Sequence, residues 1–133
     1  MEKSKIYFGH PINFYNTQKE KSLIESIHAN FAGFEVVSPH EKFHQMRYQH
    51  YKNSRGDGMA YFFEEVLPQM DAGVFLAFED GMFGRGAFRE ANFLNRLKKP
   101  VYEIKLEGII LPLQVDDSRM LSVEETRKRV YGH

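Results

Sequence analysis

The chain has 133 residues, no cysteine, and 18 Lys plus Arg against 18 Asp plus Glu. That length suits one domain with a real core, and the even charge gives no field favouring nucleic acid or an anionic membrane. The missing thiols exclude disulfides and thiolate-held metals. No apolar run approaches the roughly 20 residues of a membrane span, and the charged start Met1-Glu2-Lys3-Ser4-Lys5 is no signal peptide. We therefore expect one soluble cytoplasmic domain over residues 1–133.

In chain order, Lys5-Ile6-Tyr7-Phe8-Gly9 is a β-prone run stopped by Gly9-His10-Pro11, a strand and then a turn. Thr17 and Glu20 have capping-box spacing, and Leu23, Ile24, Ile27 and Phe31 follow at helical intervals until Ala32-Gly33. Phe34-Glu35-Val36-Val37-Ser38 is a second strand, closed by Pro39. A β-α-β run with short connections implies a parallel pair joined by a right-handed crossover. His40 to Arg55 is basic and rich in His and Tyr, shows no clean period, and ends in the loop signal Asn53 to Gly58. Met59 to Leu67 reads as a helix ended by Pro68, with Met59, Phe63, Val66 and Leu67 on one side.

A buried strand from Gly73 to Phe78 comes next, then a turn carrying Gly81, Gly84 and Gly86, a helix, and a strand opened by Pro100. Ile109-Ile110-Leu111 is a candidate fifth strand, and Ser122 with Glu125 caps a last helix running through Val130. Alternating strands and helices predict a three-layer α/β sandwich around a central parallel sheet of about five strands. Ligands of such folds sit outside the carboxyl ends of the strands, so the loops Gly9–Asn13, Pro39–His44 and Asp80–Gly86 are where chemistry belongs.

The helix after the glycine-rich turn carries an acid in the wrong place. Its apolar stripe is Ala87, Ala91, Leu94, Leu97 and Phe93, and Glu90 falls inside it, whereas Arg89, Asn92, Asn95 and Arg96 fall outside. An inward carboxylate beyond a strand end is a candidate reacting group; the plainer reading is a structural acid capping loop amides or pairing with Arg85. As a nucleophile toward a sugar carbon it has to be ionised, and a place in the first helical turn is expected to hold its pKa down. Gly84-Arg85-Gly86 offers backbone N–H groups and a guanidinium to an anion such as a 5′-phosphate. Arg55, in its glycine-flanked loop, is a second phosphate candidate.

Several segments in the correct order resemble the nucleoside 2-deoxyribosyltransferase family. Lys5 to Pro11 is similar to its first-strand motif K-I-Y-L-A-G-P, and Gly33 to Pro39 to its second strand. Asp71 opens its aspartate-then-apolar strand, Asp80-Gly81 matches its D-G pair, Gly86 to Glu90 keeps the spacing of G-T-A-F-E, and Lys99-Pro100-Val101 matches G-K-P-V. The resemblance spans residues 5–104. It implies a flavodoxin-like, Rossmann-like domain acting on the N-glycosidic bond of a nucleoside or nucleotide. It also implies that Glu90 attacks the anomeric carbon, that Tyr7 orients that carboxylate, and that no cofactor takes part. The partner is then a small-molecule nucleoside or nucleotide, and the chain is expected to form a homodimer or higher homo-oligomer, with Arg127 to His133 as a segment to lend to a neighbour.

Two family carboxylates are replaced. Met82-Phe83-Gly84-Arg85 stands where an aspartate grips sugar hydroxyls, and Phe63 stands near the place of an aspartate tied to base protonation. Glu64 or Glu65 is a candidate substitute general acid, Asp80 a candidate for the sugar hydroxyls, and His10 with Gly9 and Pro11 a candidate base contact. Two other readings remain. The same fold can be a non-catalytic nucleotide-binding module. His40-Glu41-Lys42-Phe43-His44 spells the zinc motif H-E-x-x-H, with His50 as a possible third ligand, although Arg47 replaces the glycine of the longer pattern.

Overall fold

The computed structural model describes residues 3–132. A five-stranded sheet carries the architecture, in the order β2-β1-β3-β4-β5. Its strands are β1 (Ser4–Gly9), β2 (Phe34–Val37), β3 (Ala72–Leu76), β4 (Val101–Ile104) and β5 (Ile110–Pro112). The first four are mutually parallel, with Tyr7 registered between Val37 and Gly73, and Gly9 opposite Phe75. The fifth departs from the all-parallel expectation: β5 runs antiparallel to β4. Lys105 N–H donates to Ile109 and Gly108 N–H to Lys105, with Gly108 at φ 91°, so a tight turn joins the two strands. A connection that short turns the chain back and cannot make a crossover.

Side chains alternate across the sheet, which separates two cores. Ile6, Phe8, Val74, Leu76 and Ile104 meet Leu23 and Ile27 of helix α1 (Gln18–Asn30) on one face. Tyr7, Phe75 and Val101 meet Ala87, Ala91 and Leu94 of α4 (Arg85–Arg96) on the other, together with Tyr61, Phe62 and Val66. At the sheet's centre Gly73 lets α4 come close. A Cβ built there would stand 2.6 Å from a Leu94 methyl and 2.7 Å from the Phe75 ring.

Three local expectations change. Residues without a clean period form a regular helix, α2 (Lys42–Arg55), closed by Gly56 in the left-handed conformation. It buries no residue, and Phe43 and Met46 point outward, so the 3.6-residue signature of a buried stripe had no reason to exist. The next helical stretch is only one α-turn, α3 (Met59–Tyr61), running into a π-turn (Phe62–Val66) and a 3-10 turn (Leu67–Gln69) ahead of β3. Thr17 does cap α1 by accepting the Glu20 N–H. The Glu20 carboxylate, however, turns away from a capping box to the Asn16 N–H and to His10.

The last helix, α5 (Val123–Tyr131), has the capping box its sequence promised, built by Ser122 and Glu125. It covers neither sheet face. Thr126 Oγ1 accepts the Arg85 N–H at 3.0 Å, and Arg129 forks onto both Asp80 carboxylate oxygens, so α5 lies against the glycine-rich loop. Among the described residues no helix is long and apolar enough to cross a membrane.

Leu94 is fully buried between α4 and the middle of the sheet. Leu94→Ala should destabilise the fold by about 2–5 kcal/mol through lost transfer energy and a residual cavity. Urea denaturation should show this as a lower midpoint with an unchanged m value.

Candidate functional site

The carboxyl ends of β1 and β3 and the start of α4 enclose a polar group inside the apolar core. Glu90 is 5 % exposed, and its Oε2 accepts the Tyr7 hydroxyl at 2.6 Å. Tyr7 is itself fully buried on β1, in edge and tilted contact with Phe62 and Phe75. Tyr7 and Glu90, which are 83 positions apart in the sequence, are thus joined directly. Oε1 has no partner among the described residues, yet no buried side-chain oxygen there is left unpartnered. It is therefore the oxygen that reaches open space.

That space is a cavity of about 200 Å³ bounded by Tyr7, Tyr15, Tyr48, Phe62, Gly86 and Glu90. It adjoins a wider cleft of about 420 Å³ that shares His10, Ile12, Tyr48, Met59, Gly86 and Ala87 with it and reaches α5. Gly9 keeps the floor clear: a Cβ there would lie 2.5 Å from the Phe75 ring and 3.2 Å from Glu90 Oε1. Gly86 faces open space, with nothing within 4 Å of an added Cβ. Arg85 N–H goes to Thr126, and the amides of Gly86 and Ala87, also in the first turn, have no intrahelical acceptor.

The wider cleft is electropositive by placement. Arg47, Arg55, Arg119 and Arg129 are each paired with a carboxylate. Arg85, Arg89 and Arg127 line the cleft and have no acidic partner among the described residues. Arg85 was legible beside its glycines. Arg89 and Arg127 were not, because charged residues off an apolar stripe carry the same sequence signal as any solvated face. Tyr15 and Tyr48, which wall the inner cavity, were missed for a similar reason, since both lie in stretches without periodicity.

The ionisation expected of Glu90 is corrected. Burial raises its pKa to about 8, and the hydrogen bond from Tyr7 and the charge of Arg89 pull back only part of that rise. The helix begins at Arg85, so Glu90 sits in its second turn, past the reach of the terminal dipole. Burial and the neighbouring Glu90 likewise push the Tyr7 phenol well above its usual range, so it stays a donor.

Several other expectations also fail on geometry. Glu64 is exposed and held in a fork by Arg55, so these two satisfy each other and neither reaches the cavity. Glu65 is taken by Arg47 and Tyr51. Asp80 is bound by Arg129, which holds its carboxyl down at about 2, and it lines other clefts together with Phe78 and Glu79. His10 borders the pocket beside Pro11, but its ring stacks on Phe8 and both nitrogens face protein atoms, leaving none for a base. Phe83 is buried and bridges to Met120, anchoring the C-terminal segment.

The H-E-x-x-H stretch does not assemble either. His40 precedes α2, His44 Nδ1 lies 2.7 Å from the Tyr61 hydroxyl, and these two do not converge with His50 on a common point. A further cavity of about 560 Å³ lies over the ends of β3 and β4. Of its four acids, Glu103 is paired with Arg119 and Asp80 with Arg129, Glu79 and Glu107 have no ion pair among the described residues, and Glu90 is not in it.

An ordinary glutamate carboxyl titrates near 4.5 and this one near 8, so between those values the folded chain keeps a proton that the unfolded chain has released. Stability should therefore fall as pH rises from roughly 5 to 8, by on the order of a few kcal/mol. Thermal melts across that range should show the slope in the wild type and lose it in Glu90→Gln. Tyr7→Phe, which removes a bond favouring the carboxylate, should carry the slope to higher pH. Compared with family models, curated proteins and solved structures, the chain matches none, and the site itself has to carry the functional reading.

Proposed function

We propose that this protein cleaves or transfers at the N-glycosidic bond of a nucleoside 5′-monophosphate, with Glu90 as the attacking group. One observation carries the reading: a buried Glu90 bonded to Tyr7 floors a cavity that opens into a cleft lined by three arginines without an acidic partner among the described residues. Inner cavity and outer cleft together have the size of a small-ligand site. The aromatic inner part takes the base and sugar, and Arg85, Arg89 and Arg127 take the phosphate as charge-assisted donors.

In the reaction, the ionised Oε1 attacks the anomeric carbon as the bond from that carbon to the base nitrogen breaks. The electron pair leaves with the base, which takes a proton from solvent. Water or a second base then attacks the same carbon and releases the carboxylate. Tyr7 holds Oε2, which fixes the approach of Oε1. An attacking carboxylate must first lose its proton, so kcat/KM should rise with pH through about 8, the pKa of Glu90 in the free protein. A fall over the same range would assign Glu90 as a general acid instead.

Incubation with a panel of nucleosides and their 5′-monophosphates, read by chromatography for free base, tests the proposal. Base should appear from monophosphates, and Glu90→Gln should slow its release by roughly 10³-fold or more. Arg85→Ala should raise KM for a monophosphate by about 10–100-fold and leave the parent nucleoside little changed. Monophosphate binding without any base release would make the cleft a binding module, a result the replaced sugar-gripping aspartate would then explain.

A further inference from the structure

Three side chains that this reaction leaves unused meet beside its pocket. His10 follows β1, Glu20 lies in the first turn of α1, and His40 sits in the turn after β2. One donor atom from each lies within 4.8 Å of the others. Glu20 Oε2 stands 2.5 Å from His10 Nε2 and 3.3 Å from His40 Nδ1.

The protons decide what this cluster can hold. The Phe8 carbonyl, 3.0 Å from His10 Nδ1, can only accept, so that nitrogen carries its hydrogen. In the neutral ring Nε2 then presents a lone pair, and it faces a carboxylate oxygen that is also an acceptor. The contact between them holds either a proton or a cation in its place. Glu20 is oriented for this, because Oε1 accepts the Asn16 N–H at 2.9 Å and leaves Oε2 toward both histidines. Asn16 makes that bond from a left-handed conformation, φ 60°, which costs a non-glycine residue something to hold.

The surroundings match what a metal ligand needs. A ligating imidazole normally donates its other N–H to a carbonyl or carboxylate, which fixes the tautomer, and His10 does so to Phe8. Metal–ligand bonds of roughly 2.0–2.1 Å at tetrahedral angles put neighbouring donors about 3.3 Å apart. His40 Nδ1 and Glu20 Oε2 already have that spacing, and the His10–Glu20 pair reaches it by opening about 0.8 Å, in place of the proton between them. His40 Nδ1 would give up Ser38 Oγ, now at 2.6 Å. The His10 and Glu20 side chains are buried and that of His40 is 24 % exposed, so His40 is the side from which an ion arrives.

We propose that His10, Glu20 and His40 form a binding site for a divalent transition-metal ion, zinc being the best fit to two imidazoles and one carboxylate. It shares only His40 with the H-E-x-x-H motif. Its ligands come from three segments at the strand ends, so the ion acts as a staple that sets the wall of the neighbouring pocket. The proposal does not depend on the reaction assigned to Glu90.

The test is titration of chelator-stripped full-length protein with zinc alone, followed by calorimetry and by elemental analysis after gel filtration. One zinc per chain should bind, with release of about one proton and a rise in melting temperature of about 5 °C or more. Glu20→Gln and His40→Ala should each weaken binding at least tenfold, and His44→Ala and His50→Ala should not. Because Glu20→Gln risks unfolding the β1–α1 connection, His40→Ala, with circular dichroism matching the wild type before zinc is added, decides the matter. No bound zinc in the wild type, or zinc binding that survives His40→Ala unweakened, overturns the assignment.

Discussion

Everything near the strand ends is arranged around the removal of one carboxyl group from water. Glu90 sits between the sheet and α4 among side chains that offer it one hydrogen bond, from Tyr7. Burying an acid costs free energy, and a group so placed keeps its proton unless something repays its charge. The neighbours follow from that constraint. Gly9 has no side chain because there is no room above Phe75, and Tyr7 is the one polar residue in the middle of β1. The Tyr7–Glu90 bond also ties the first strand to the fourth helix, so the floor of the cavity is a junction of elements distant in the sequence. Replacing the pair with apolar residues of similar volume would remove a buried polar contact that is weak evidence for stability in itself, which points to a task for it.

Charge is organised locally rather than overall. The chain is neutral as a whole, yet four of its arginines are bound to carboxylates while Arg85, Arg89 and Arg127 line the cleft. Any attraction for an anion arises from this distribution and is invisible to composition. The same contrast holds at His10 and Glu20, two groups that are ordinary in sequence and unusual only in being buried against each other.

The last helix was legible from its Ser122–Glu125 capping box, and the strands, α1 and α4 because buried faces leave a period in the sequence. Leu23 with Ile27, and Ala87 with Ala91 and Leu94, are that signal. α2 was not legible, since a helix without a buried stripe leaves none, and the π-turn at Phe62–Val66 breaks the 3.6-residue count at the point where it would have been read. Glu90 was found because an acid on an apolar face is a local contradiction, whereas Tyr7 came only from the family resemblance. Glu64, Arg55 and Asp80 were chosen for their chemistry and their place along the chain, and each is paired with an opposite charge. That pairing is a tertiary fact: Asp80 and Arg129 are 49 residues apart. His10 lines the pocket, but what its ring does depends on Phe8 and Glu20.

The helix that walls the cleft is attached unlike the rest of the fold. α5 buries none of its residues, and its fastenings to the body include the Thr126 hydroxyl, the exposed Arg129–Asp80 fork and a stack of Arg129 on Phe78. Exposed ion pairs weaken as ionic strength rises and the Debye length shortens toward 3 Å, whereas apolar packing between sheet and helices does not. The wall of the cleft and the core beneath it therefore answer to different solution variables. Of these fastenings, the Arg129–Asp80 fork is the one that added salt weakens.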